Sequence, residues 1–211
     1  MAPRAHGVSG HVAVVLAAGG SRRLGGRPKQ LIERDGETLV QRALRLARQT
    51  APARLLLVVG AHADQIAAAG RADDVQVVLN GHWRQGLGSS VRAASQALAV
   101  DAAGASRCLL LACDQPALQR AHLEALLHAA DGAASGCAGS VHGTRLGVPA
   151  VVAIAQLLTA RPQGDAGLRE LLNALPPAQV GRVQAPELAL DLDTPADLAD
   201  AARRGWIDPP I

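Results

Sequence analysis

Apolar positions along the chain follow two alternating periods. Residues 11–17 (HVAVVLA) form an unbroken, Val-rich run that ends in glycines. An apolar run without polar alternation is the pattern of a strand covered on both faces. The pattern returns at 53–60 (ARLLLVVG), 75–80 (VQVVLN) and 107–114 (RCLLLACD). Between these runs the spacing becomes helical. Residues 36–50 place Leu39, Ala43, Leu46 and Ala47 on one stripe, a short helix is expected at 63–70, and 86–100 reads as a Gly/Ser-rich turn entering a helix. Farther on, helices are expected over 118–131 and 165–175, with strands at 136–141 and 146–153. Residues 188–204 suggest a short strand, a turn and a last helix opened by Pro195. Strands alternating with helices predict an α/β fold with a mostly parallel central sheet covered on both faces. Residues 1–10 read as a loose leader and 11–211 as one domain, with no internal repeat or low-complexity linker.

Composition narrows the function classes. Hydrophobic residues make up 49% of the 211, yet there are two Trp and no Phe or Tyr. The core must therefore be built from Ala, Leu and Val, and a nucleic-acid platform that stacks bases on aromatic rings is excluded. The net charge of +3, with no run of five basic residues, gives no one-sided attraction to nucleic acid. Cys108, Cys113 and Cys137 are odd in number and contain no Cys-x-x-Cys pair, which predicts free thiols and a cytoplasmic location, with no zinc site. The longest apolar runs are strand-sized, and the N-terminus lacks an apolar stretch of signal-peptide length, so no membrane association is expected.

The most informative segment is VVLAAGGSRRLGGRPKQL, residues 14–31. A buried strand runs into Leu16, Ala17, Ala18, Gly19, Gly20 and Ser21, and ligands of parallel sheets bind beyond the carboxyl ends of strands. Small residues let the backbone approach a ligand and aim successive N–H groups at anionic oxygens. Arg22, Arg23, Arg27 and Lys29 then bring four positive charges within eight residues, a cluster that calls for an anion. Gly20 and Gly25 have the Walker A spacing, but Gly26 stands where the Lys belongs and no Ser or Thr follows; G-x-G-x-x-G is also absent. The bland alternative is a basic turn after the first strand.

This segment resembles the signature of the nucleotidyltransferases related to the molybdenum cofactor cytidylyl- and guanylyltransferases, the MobA-like NTP transferase family, and the resemblance runs from about Val12 to Ala201. It implies a Rossmann-like three-layer sandwich, the nucleotide-diphospho-sugar transferase fold, in which the loop holds a nucleoside triphosphate. By motif position Arg23 and Lys29 contact phosphates, with a weaker claim for Arg22 and Arg27.

Two acids extend the reading. Asp114 closes the run CLLLACD, where a strand end beside a phosphate loop suits a Mg²⁺ ligand, with Mn²⁺ an alternative ion. Asp193, in DLDTPADL, is the second candidate ligand, and equally Asp193 or Thr194 could cap the helix that Pro195 opens. Asp191 is a weaker ligand candidate, placed on the same face as Asp193 if the segment is a strand. CDQP and DLDTPADL resemble the family's metal-binding motifs. A metal between two carboxylates would neutralise charge as an acceptor phosphate attacks the α-phosphate and pyrophosphate leaves.

Asn80 can donate and accept at a base edge, and Gly86, Ser89 and Ser90 could serve the base or ribose; Ser89 or Ser90 could also cap the following helix. Trp83 reads either as a rim contact for a bulky acceptor or as packing. Asp165 and Arg169 read as a helix cap with a local partner or as acceptor contacts, and His142 as an ordinary surface residue. The resemblance implies CTP as the nucleotide, because Ala18 precedes the first loop Gly as in the cytidylyl branch, and molybdopterin as acceptor, with a molybdoenzyme or its chaperone receiving the product. Two departures are visible: the spacing from Gly25 to Lys29 matches the guanylyl branch, and Val148 stands where relatives carry a His. The alternatives are GTP as donor, a sugar or alcohol phosphate as acceptor, or a non-catalytic carrier of a nucleotide or cofactor.

Overall fold

The computed structural model describes residues 10–160, 162, 164 and 167–209. Seven strands form one sheet. In chain order they are β1 (His11–Leu16), β4 (Arg54–Val59), β5 (Val75–Leu79), β6 (Arg107–Ala112), β7 (Ala138–His142), β8 (Arg145–Ala153) and β9 (Gly181–Gln184). The spatial order is β5-β4-β1-β6-β8-β7-β9. Every neighbouring pair is parallel except the two that β8 makes, so six strands share one direction and β8 opposes them. The remaining strands, β2 (Glu33–Arg34) and β3 (Glu37–Thr38), form a separate hairpin.

The unbroken apolar runs have a direct physical reading. Odd residues of the central strands, such as Ala13, Val15, Leu57 and Leu111, pack with α1 (Leu39–Arg48), α2 (Ala63–Ala69) and α4 (Arg120–Gly132). Even residues, such as Val12, Val14, Leu56 and Leu110, pack with α3 (Leu87–Val100), α5 (Ile154–Thr159) and α6 (Gly167–Asn173). Both faces are covered, which gives the three-layer α/β sandwich expected. Each fully buried Leu or Val contributes roughly 1.5–3 kcal/mol, and these strands bury nearly every side chain they carry. A third, smaller cluster joins Ile32, Leu39, Leu192, Ala201 and Ile207 and seats α7 (Pro195–Arg203) against the loop side of the sheet. Among the described residues no helix is long and apolar enough to cross a membrane.

Four local expectations change. The helix expected over 36–50 starts at Leu39, because Asp35 and Gly36 both take positive φ (55° and 73°) and close the β2–β3 hairpin; Asp-Gly favours that tight turn. Thr38 then caps α1 in a capping box with Gln41. At α3 the cap is Gly86, at φ 88°, and neither Ser89 nor Ser90. No strand forms over 188–193, where a 3-10 turn (Pro186–Ala189) and extended coil run instead. Finally, α5 and β9 appear where no element was expected, and the helix expected at 165–175 spans Gly167–Asn173, with Asp165 outside the described residues.

Candidate active site

The loop after β1 continues the sheet's pairing before it turns away. Ala17 N–H donates to the Val58 carbonyl at 2.9 Å, and Ala61 N–H donates to the Ala18 carbonyl at 3.1 Å. Beneath the loop lies Gln30, 1% exposed, whose Nε2 donates to the carbonyls of Ala17 (3.0 Å) and Gly19 (2.8 Å). Its Oε1 is buried without a partner, so the amide is held there through its two donor contacts. Ser21, at φ 47°, turns the chain: its carbonyl accepts from Leu24 N and Gly26 N, and its hydroxyl accepts from Lys29 N at 3.1 Å. Gly25 and Gly26 at φ 64° and 81° complete the turn, a conformation that favours glycine. This compact fold of the loop sends the Lys29 side chain back to the floor of the cleft.

On that floor the Lys29 ammonium lies 2.5 Å from Asp114 Oδ2 and 2.7 Å from Asp193 Oδ1. Arg23 takes the other oxygen of Asp193, Oδ2, at 2.5 Å. Burial alone would lower the Lys29 ammonium below its ordinary value. The charges and hydrogen bonds of Asp114 and Asp193 outweigh it and hold the ammonium above that value, so Lys29 is a cation here. Asp114 stands two residues past β6. The Leu192 N–H donates to the Asp114 carbonyl at 3.0 Å, which fastens the coil bearing Asp193 alongside the strand end. Thr194 caps α7, with its capping-box partner Asp197, and so settles the cap in favour of Thr194. The Asp193 carboxylate is thereby left to the two cations. Asp191 does not line the cavity and part of it reaches solvent, but it stands near Asp114, Asp193 and Lys29: lost hydration first, and then the neighbouring acids, push its carboxyl up to about 7.

These groups border a cavity of about 540 Å³. Of the residues singled out from sequence, Leu16, Ala18, Gly19, Gly20, Ser21, Arg23, Lys29, Gly86, Ser90, Asp114 and Asp193 line it, as do Arg22 and Trp83. Ala17 is instead part of the core. Asn80 and Ser89 act as a brace: Asn80 Nδ2 donates to Ser89 Oγ (2.8 Å) and Ser90 Oγ (3.0 Å), and its Oδ1 accepts from His82 N (2.9 Å). The Asn80 amide is thus spent within the protein, away from a base edge. Arg27 lines a different, smaller cavity. Arg169 is exposed and His142 bonds the Val148 carbonyl; neither lines the cavity.

Trp83 is a packing residue. A Cβ at Gly20 would meet its ring at 2.6 Å and one at Gly60 would meet its Cβ at 2.6 Å, so the indole packs on two glycines. It also lines the cavity, with the Arg84 guanidinium 4.3 Å over its ring. Gln30, Arg84, Gln85, Leu87 and Ala112 are lining residues that sequence reasoning missed. Gln30 carried only a faint signal, a polar residue between Lys29 and an apolar run. Cys113 also lines the cavity, but burial pushes its thiol up to about 12, which makes it a poor nucleophile at neutral pH.

The donor set fits a hard divalent cation. Two carboxylates face one point, and among the described residues no cluster of three or more His, Cys, Asp or Glu could enclose a metal without help. Mg²⁺ and Mn²⁺ suit such partial sites, because phosphate oxygens and water complete their shells.

A mostly parallel α/β sheet with a cation-rich loop over paired acids suits a nucleotidyltransferase. Residues 13–180 match the MobA-like NTP transferase domain, and the chain belongs to that family. Nicotine blue oxidoreductase of Paenarthrobacter nicotinovorans is 31% identical over 172 residues, which cover 77% of this chain and 81% of that protein. Rv0371c of Mycobacterium tuberculosis superposes with a TM-score of 0.74 at 27% identity, over 93% of this chain and 99% of its own. A manganese complex of the same protein superposes at 0.66 with 26% identity, over 94% and 98%. A nucleotidyl transferase from Methanothermobacter, Mth528, shares the fold at a TM-score of 0.74 with 23% identity, over 92% and 97%.

Proposed function

We propose that the chain transfers CMP from CTP to the phosphate of molybdopterin, with a divalent cation, Mg²⁺ or Mn²⁺, at Asp114 and Asp193. The observation that carries the reading is the convergence of Lys29 and Arg23 on that acid pair beneath the loop. The manganese complex of Rv0371c supports the class of ion. Ala18, resembling the cytidylyl branch, supports CTP.

An oxygen of the acceptor phosphate forms the new bond to the α-phosphorus, the α–β bridging P–O bond breaks, and pyrophosphate carries away the electron pair. A phosphate monoester is already ionised at neutral pH, so the chain needs no general base. Backbone groups of Ala18 to Ser21 border the phosphates, and Lys29, Arg22 and Arg23 place positive charge around them. Asp114 and Asp193 hold the cation, which when bound neutralises charge at the α-phosphate. Gln30 fixes the loop, so catalysis here is positioning and charge stabilisation.

The product is expected to pass to a molybdoenzyme or its chaperone, and the chain to work in the cytoplasm as one domain over 11–211. Pyrophosphate release with Mg²⁺, molybdopterin and each of the four triphosphates tests the reading. Release with CTP supports it. Release with GTP alone overturns the nucleotide, and release only with a sugar or alcohol phosphate overturns the acceptor. The likeness to nicotine blue oxidoreductase favours a second reading, in which the same cavity serves an oxidoreductase. Oxidation of a reduced nicotinamide dinucleotide, with no pyrophosphate from any triphosphate, would select it.

A further inference from the structure

Lys29 is the only lysine among 211 residues; the other 20 basic residues are arginines. The single exception stands where a cation bridges two acids. Its ammonium contacts Asp114 Oδ2 and Asp193 Oδ1, so those oxygens are no farther apart than the sum of 2.5 and 2.7 Å. The other Asp193 oxygen is already held by Arg23.

A divalent cation that binds both carboxylates needs these same inward-facing oxygens, at roughly 2.0–2.1 Å. An ammonium at hydrogen-bond distance from both would then sit within a few ångströms of a doubly charged ion in a half-buried cleft, where repulsion is strong. The two cations exclude each other. An arginine would serve poorly as the exchanging partner, because its planar fork grips carboxylates through several fixed donors. A lysine is a compact charge on a flexible four-carbon stem and can swing from one anion to another.

We propose that Lys29 and the divalent cation are alternative counter-ions of the Asp114–Asp193 pair, and that the triphosphate, by giving Lys29 a new anion, is what releases the pair to the metal. Metal alone must evict Lys29 without compensation. Metal with triphosphate exchanges one set of ion pairs for another. Metal and nucleotide therefore enter as a coupled unit, and by linkage each tightens the other. The inference rests on the metal reading above and adds to it the exchange at Lys29.

Binding of Mn²⁺ without nucleotide, followed by the electron paramagnetic resonance of the free ion, separates the two. Lys29→Met is expected to bind Mn²⁺ on the order of tenfold more tightly than the unaltered protein. Lys29→Arg, which keeps the charge, should bind no more tightly than the unaltered protein, and Asp114→Asn should abolish the gain. Equal or weaker binding by Lys29→Met, with a cooperative melt proving it folded, overturns the exchange while leaving the metal site standing. Binding that Asp114→Asn does not affect in any background overturns the metal reading and the exchange with it. Because Lys29 is the only side-chain amine, it can also be followed in the unaltered protein. Acetylation at residue 29, mapped by mass spectrometry, should accelerate with saturating Mn²⁺ and slow again when CTP is added. A rate indifferent to Mn²⁺ overturns the exchange without any variant.

Discussion

Asp114 and Asp193 reach one ammonium from opposite kinds of backbone. Asp114 stands two residues beyond β6, a strand paired on one side with β1 and on the other with β8, with Leu109, Leu110 and Leu111 fully buried. Its position is fixed by the sheet. Asp193 hangs from coil. Three features hold it: Leu192, fully buried in the third core cluster, the bond from Leu192 N to the Asp114 carbonyl, and the Thr194 cap of α7. The difference teaches that a rigid element can supply one half of a charged site and a short anchored coil the other, provided that a side chain and a backbone bond tie the coil to the strand end. It also puts the adjustable half of the site on Asp193.

Four substitutions probe this contrast. Asp114→Asn removes the sheet-borne acid, and turnover is expected to fall by about 10³-fold or more while the melting temperature stays near that of the parent protein, since losses of this size accompany removal of a central electrostatic group. A loss below tenfold in pyrophosphate release would detach Asp114 from the chemistry. For Asp193→Asn the expected fall is smaller, about 10²-fold, because the coil can readjust and Asp114 remains; a larger loss than for Asp114→Asn would reverse the ranking. Next comes Gln30→Met, which keeps shape but deletes two buried donors worth roughly 0.5–1.5 kcal/mol each. Its KM for triphosphate should rise about tenfold with a lesser change in kcat; an unchanged KM would mean the loop does not depend on this brace. The mildest change is Thr194→Ala, which removes a helix cap worth about 1 kcal/mol. That should lower the melting temperature by about 2–4 °C and turnover by less than Asp193→Asn does. No shift in melting temperature would show that the coil is held by Leu192 alone.

The same contrast explains what the sequence disclosed. Strands buried on both faces leave continuous apolar runs, so β1, β4 and β6, and with them the loop and Asp114, were legible. The acids and cations were legible as residue types at strand ends. Asp193 stood out by its motif, but its freedom from capping depended on Thr194 taking that role. The Asp35-Gly36 turn carried a hairpin signal that the helical stripe of α1 overran. Four-residue β9 alternates only weakly, and Gly181 is seated by α4, where a Cβ would meet the Ala129 carbonyl at 2.7 Å; that constraint exists only in three dimensions. Asn80 shows the converse. A polar residue at a strand end suggests a ligand, yet its amide turns inward to Ser89 and Ser90. Gln30 hid for the same reason, since its role comes from lying under the loop.

The most direct measurement follows the label from CTP carrying ³²P at either the α or the γ position, with molybdopterin and Mg²⁺. Nucleotidyl transfer at this cavity predicts that the α label appears in the molybdopterin product and the γ label in pyrophosphate, with both lost in Asp114→Asn. A γ label on the acceptor, or no label transferred from any of the four triphosphates, would contradict it.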